Sequence, residues 1–75
     1  MLLKIGELAS HINRLPSAIH FYTKEGLLKP DSFTRGGYRL YEKSKALKTI
    51  KEIERLQTNK RFTIAEIKSY LKNKQ

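Results

Sequence analysis

Only three residues, Asn13-Arg14-Leu15, separate two short amphipathic patterns near the start of the chain, and this spacing limits the possible folds more than any other feature. Ahead of them Ile5, Leu8, Ala9 and Ile12 recur at i, i+3, i+4 and i+7, which predicts a helix over about residues 5–12 with one apolar face. Behind them Pro16 suits the first position of a second helix, where its missing N–H has no intrahelical partner to lose. That helix turns Ile19 and Tyr22 towards the core and ends at Gly26, because glycine readily takes the left-handed conformation that stops a helix. Asn13 tolerates the positive φ of a tight turn. Two helices joined this closely make a helix-turn-helix, whose second helix can enter a DNA major groove. Short-linked helix pairs are also common in small bundles, so the pair alone leaves a purely structural role open.

After Leu27-Leu28 and Pro30 the pattern changes. Ser32-Phe33-Thr34-Arg35 and Tyr38-Arg39-Leu40-Tyr41 are β-prone runs on either side of Gly36-Gly37. They predict a hairpin over about residues 32–41 with a glycine tip and flanks that alternate aromatic or apolar with basic residues. Directly after a helix-turn-helix such a hairpin reads as a wing; alone, it reads as a surface hairpin kept solvated by its arginines. A third helix is expected from about Lys43 to Gln57, with Leu47, Ile50, Ile53 and Leu56 as its stripe and Lys48, Lys51 and Arg55 on a solvated face. A fourth opens with the capping box Thr63 to Glu66, has Phe62 and Ile67 placed as a hydrophobic staple, and turns Ile64, Ile67 and Leu71 inwards. Lys72-Asn73-Lys74-Gln75 lack an apolar pattern and are expected to fray. The expected fold class is therefore mainly α: a winged helix-turn-helix of about four helices, with a two-stranded β-hairpin wing between helices 2 and 3. Residues 1–75 form one domain, with the helix-turn-helix at about 5–26, the wing at about 32–41 and helices 3 and 4 at about 43–71.

A chain of 75 residues buries only about 60% of its unfolded surface, so all four apolar stripes are needed for one core. That argues against a membrane-surface or protein-interaction module, which must expose an apolar face. The charge is +9, from 16 Lys and Arg against 7 Asp and Glu, and it favours a polyanionic partner. No run approaches the roughly 20 apolar residues of a membrane span, and Met1 to Ile5 is too short for a signal peptide, so a cytoplasmic protein without membrane association is expected. The chain has no cysteine, and His11 and His20 are isolated, so neither a metal nor another cofactor is expected. The carboxylates Glu7, Glu25, Asp31, Glu42, Glu52, Glu54 and Glu66 are scattered without a nucleophile and base to pair, and no enzyme is expected.

Four linked segments, Ile5-Gly6-Glu7-Leu8-Ala9, Ala18-Ile19-His20-Phe21-Tyr22, Glu25-Gly26-Leu27-Leu28-Lys29-Pro30 and Gly37-Tyr38-Arg39-Leu40-Tyr41, closely resemble the DNA-binding domain of MerR-family transcription regulators. The resemblance runs from Lys4 to about Leu71 and includes Phe62-Thr63-Ile64-Ala65-Glu66-Ile67. It implies sequence-specific binding of double-stranded promoter or operator DNA by a homodimer, with helix 2 in a major groove and the wing over the neighbouring backbone. It also implies that the dimer distorts an over-long promoter spacer until both elements suit RNA polymerase, which is engaged only indirectly. In the family a dimerisation helix and an effector domain follow helix 4. The chain is therefore expected to be an excised N-terminal domain or a minimal member, and monomeric alone. An excisionase-like architectural protein that bends DNA without an effector is the alternative.

Carried over residue by residue, the resemblance assigns Tyr38 and Arg39 to phosphates from the wing, positioning rather than reading the DNA. Arg35, at the wing tip, is a candidate phosphate or minor-groove contact, or else a solvated charge. Ser17 and His20, one helical turn apart, are the candidate groove-facing pair, with a plain surface histidine as the other reading of His20. Tyr22 could set its hydroxyl on a phosphate while its ring covers the core edge. Arg14 and Lys24 are further candidate phosphate contacts, and Phe21 is expected to pack. The chain departs from the family at Asn13, where glycine is usual in the turn, and at Leu15 and Lys4, where good caps are replaced at about 1 kcal/mol each. His20 stands where arginine is common and cannot make arginine's bidentate base contact. Thr23 replaces a glutamate, removing a negative charge near DNA.

Overall fold

The computed structural model describes residues 1–74. In chain order the elements are β1 (Leu2–Leu3), α1 (Ile5–Ile12), α2 (Pro16–Lys24), β2 (Ser32–Phe33), β3 (Arg39–Glu42), α3 (Lys43–Thr58) and α4 (Ile64–Lys74). The helices fall where the apolar periods place them, and residues 72–74 continue α4 instead of fraying; Gln75 lies outside the described residues.

The turns follow from local chemistry. Asn13 adopts φ 57°, and the Arg14 N–H closes the end of α1 on the Ala9 carbonyl at 3.0 Å. Gly26, at φ 79°, ends α2 in a Schellman motif: its N–H donates to the Thr23 carbonyl and that of Leu27 to the Tyr22 carbonyl. Neither Lys4 nor Leu15 caps its helix with a side chain. At α1 the loss is partly offset by Glu7, whose carboxylate accepts the Lys4 N–H at 2.9 Å. The Thr63–Glu66 capping box forms in both directions, with Glu66 accepting the Thr63 N–H at 2.8 Å and Thr63 Oγ1 accepting the Glu66 N–H at 3.2 Å. Between α3 and α4 the chain turns through Arg61 at φ 55°, which brings Phe62 back over the Leu56 carbonyl.

The expected two-stranded wing is one edge of a three-stranded antiparallel sheet in the order β1-β3-β2. Leu2 and Leu3 pair with Glu42 and Tyr41, while Ser32 and Phe33 pair with Leu40 and Arg39. The N-terminal ammonium completes the addition by donating to Glu42 Oε2 at 2.6 Å. A two-residue strand carries too little pattern to be seen in sequence. The pairing matters because it seats the wing's inner strand against the helices: Tyr41 is wholly buried among Leu8, Ile19, Ile50, Ile53, Leu56 and Ile67.

Candidate nucleic-acid interface

Helix α2 divides by face. Ile19 and Tyr22 are buried, Ala18 is half-buried, and Ser17, His20, Phe21 and Lys24 are exposed. Phe21 departs from the packing expected of it: it is 44% exposed and touches Tyr22 edge-on at a centroid distance of 6.0 Å. An exposed aromatic ring therefore stands beside Ser17 and His20 on the outward side of the helix.

At the wing, Thr34 and Tyr38 close a three-residue loop. Thr34 N–H donates to the Tyr38 carbonyl at 2.9 Å, Tyr38 N–H donates to Thr34 Oγ1 at 3.1 Å, and Gly37 takes φ 85°. This is the hairpin loop whose last residue must be left-handed, and glycine meets that need without a Cβ penalty. Arg35, Tyr38 and Arg39 all project into solvent. The Tyr38 ring lies beside Gly36 and under the Lys4 ammonium, whose Nζ is 5.1 Å from its centroid.

His20 from α2, Tyr38 and Arg39 from the wing, and Lys4 to Gly6 at the start of α1 line one cleft. Among the described residues no carboxylate lines it. Every acidic side chain is instead held by another part of the chain. Glu42 binds the N-terminal ammonium and Asp31 binds Lys45. Glu52 binds Arg55, Glu54 binds Arg14, and Glu25 lies 3.5 Å from Lys68. Glu7 and Glu66 close capping interactions. The backbone N–H of Glu42 first, and Lys45 second, hold the Asp31 carboxyl below the usual carboxylate range. Arg35 and Arg39 form no ion pair among the described residues, so their field is not cancelled at short range.

Two of the sequence candidates are placed differently. Arg14 is half-buried and committed: its Nε and one terminal nitrogen meet the two Glu54 oxygens at 2.7 and 2.9 Å, and the other terminal nitrogen donates to the Ile12 and Asn13 carbonyls. This fork joins the α1–α2 turn to α3 and engages all three guanidinium nitrogens within the chain. Tyr22 is core, only 9% exposed, and burial first, then the Glu54 charge, pushes the pKa of its hydroxyl up. Thr23 has a structural task that its position in the sequence does not reveal. Its hydroxyl donates to the Ile19 carbonyl at 2.8 Å and lies 2.9 Å from the hydroxyl of buried Tyr41, which therefore donates to it.

Comparison with known proteins bears on this geometry. The model of the MerR HTH family of regulatory proteins matches residues 3–74. The chain belongs to the MerR family. A search of curated proteins returned no significant match. Among solved structures, this MerR-family chain is similar to a MerR-family transcriptional regulator from Bacillus cereus at 33% identity and TM-score 0.69, over 95% of this chain and 52% of that one. It also shares its fold with HiNmlR, a MerR-family regulator lacking the sensor domain, bound to promoter DNA. That match has TM-score 0.81 at 24% identity and covers 99% of this chain and 55% of that one. The chain thus spans about half the length of the solved relatives it matches.

Proposed function

We propose that this chain binds double-stranded promoter or operator DNA as the DNA-reading part of a MerR-family transcription regulator. The reading rests on one observation above the rest: His20 of α2 and Tyr38 and Arg39 of the wing converge on a cleft lined by no carboxylate among the described residues. Family membership supports it, as does the shared fold with a relative bound to promoter DNA.

In this reading α2 presents Ser17 and His20 to base edges in the major groove, with Phe21 beside them. Arg39 and Tyr38 hold the adjacent backbone, one by charge and one by its hydroxyl, and Arg35 reaches a phosphate or the minor groove from the wing tip. Tyr22 contributes at most its hydroxyl. Arg14 takes a structural place, holding the mouth of α2 to α3. His20 offers a single donor or acceptor per ring nitrogen, so specificity at its base pair is weaker than a bidentate arginine would give. The active regulator is a cytoplasmic homodimer that changes the path of promoter DNA and so acts on RNA polymerase indirectly, with no catalytic step of its own.

The test is a titration of the chain, and of Arg39→Ala, against random duplex DNA across a salt series. About five phosphate contacts give a slope of log K against log salt near −4.5, and losing one lowers its magnitude by about 0.9. Absent binding at low salt, for the chain alone and for two copies joined by a coiled coil, overturns the reading.

A further inference from the structure

Lys4 occupies the N-cap of α1, where an ammonium has no lone pair to offer the helix N–H groups. Glu7 holds that helix start instead, and the lysine side chain goes to the wing. Its Nζ sits over the Tyr38 ring at 5.1 Å, within cation–π range. Among the described residues this is the only ring contact, ion pair or side-chain hydrogen bond joining the wing tip, residues 33–39, to the rest of the molecule. The tip's other bonds are internal, between Thr34 and Tyr38 and between Thr34 and Gly37. Phe33 and Tyr38 stand 58% and 65% exposed, so core packing does not anchor the tip.

We propose that Lys4 is a positioning residue for DNA binding: seated on the Tyr38 ring, it sets the angle of the wing to α2 at which Tyr38, Arg39 and His20 meet the same stretch of duplex. The inference rests on the DNA-binding reading above. Groove and backbone lie at a fixed separation in a duplex, whereas the wing beyond the β1 pairing at Tyr41 and Glu42 is a two-stranded ribbon, which is only marginally stable by itself. A wing left to find its angle on contact loses conformational freedom at that moment; a wing already held does not. Lys4 lines the same cleft as His20, Tyr38 and Arg39.

The experiment is a double-mutant cycle read by DNA affinity and salt slope. Lys4→Met keeps the stem and removes the charge, and affinity for duplex DNA falls about 2–5-fold, the weight of an exposed cation–π contact. The salt slope stays at the wild-type value, Lys4→Arg binds as wild type does, and Lys4→Met adds no further loss in a Tyr38→Leu background. In proton spectra of the free chain, the Lys4 Hε resonances lie upfield under the Tyr38 ring and return to ordinary positions in Tyr38→Leu. Wild-type affinity in Lys4→Met, or an undiminished loss in Tyr38→Leu, overturns the proposal. So does a drop of about 0.9 in slope magnitude, which makes Lys4 a direct phosphate contact. If the wild type binds and Lys4→Met is silent, this inference alone falls; if the wild type does not bind, the DNA reading falls and takes it along.

Discussion

Arg14 and Glu54, forty residues apart in sequence, face each other as a fork against a carboxylate, with nitrogen–oxygen distances of 2.7 and 2.9 Å. The same guanidinium donates to the Ile12 carbonyl at 3.0 Å, so a single side chain joins the end of α1, the turn and the middle of α3. Its bond to Glu54 holds that carboxyl below the usual glutamate range, and the guanidinium is raised in turn. Because the folded value is depressed, the pair's contribution is present above the unfolded glutamate value and is lost as pH falls through the folded one. Both side chains are about one-third exposed, so after screening Glu54→Gln costs about 0.5–1 kcal/mol at neutral pH. Urea unfolding of wild type and Glu54→Gln should converge as pH drops from about 5 to below 4.

Arg14 and Arg39 should part company on DNA. Arg39→Ala lowers the magnitude of the salt slope by about 0.9, the share of one phosphate contact. Arg14→Ala leaves the slope near wild type and instead lowers the urea midpoint. Equal slope losses in the two variants would return Arg14 to the contact surface.

Thr23→Val should destabilise more than its exposure suggests. It strands the hydroxyl of a wholly buried Tyr41 at about 1–3 kcal/mol. Tyr41→Phe removes the stranded group, so the double variant is more stable than the sum of the single losses predicts. Additive urea midpoints would show that the Tyr41 hydroxyl finds another partner.

Gly37→Ala tests the wing's backbone. No atom lies within 4 Å of the added methyl, so the penalty of about 1–2 kcal/mol comes from φ 85° alone. The loss falls on the hairpin tip: amide exchange at residues 34–38 accelerates and DNA affinity drops, while exchange in α3 stays as in wild type.

Thr63→Ala removes one half of the capping box at α4 and costs about 1 kcal/mol in thermal or urea unfolding. Thr63→Ser retains the acceptor and restores most of that loss.

Much of the helical frame was legible because its signals are local. Four apolar residues at helical spacing, a proline at the start of α2, a glycine at its end and a capping box before α4 each act within a few residues of themselves. The wing was legible for the same reason, from two glycines between β-prone runs. His20, Tyr38 and Arg39 were read from the linked motifs, Ser17 from its one-turn spacing from His20 and Arg35 from its place at the wing tip, and all five are exposed. Arg14, in the turn before α2, and Tyr22, in a linked motif, were candidates as well. In the structure a carboxylate forty residues away engages the first, and burial covers most of the second.

The amino-acid order by itself determined the helices, their turns, the wing loop and the surplus of positive charge, because backbone preference, side-chain period and net charge are read over short windows or simple sums. Tertiary structure alone decided how those charges are shared out. Folding draws carboxylates to Arg14, Lys45, Arg55 and Lys68 and, among the described residues, leaves Arg35 and Arg39 without one. It also added β1 to the sheet, buried Tyr41 against Thr23 and set Lys4 on Tyr38. Coulombic attraction, hydrogen bonding and ring contact act over a few ångströms of space whatever the separation along the chain, and only the packed core brings those pairs within that range.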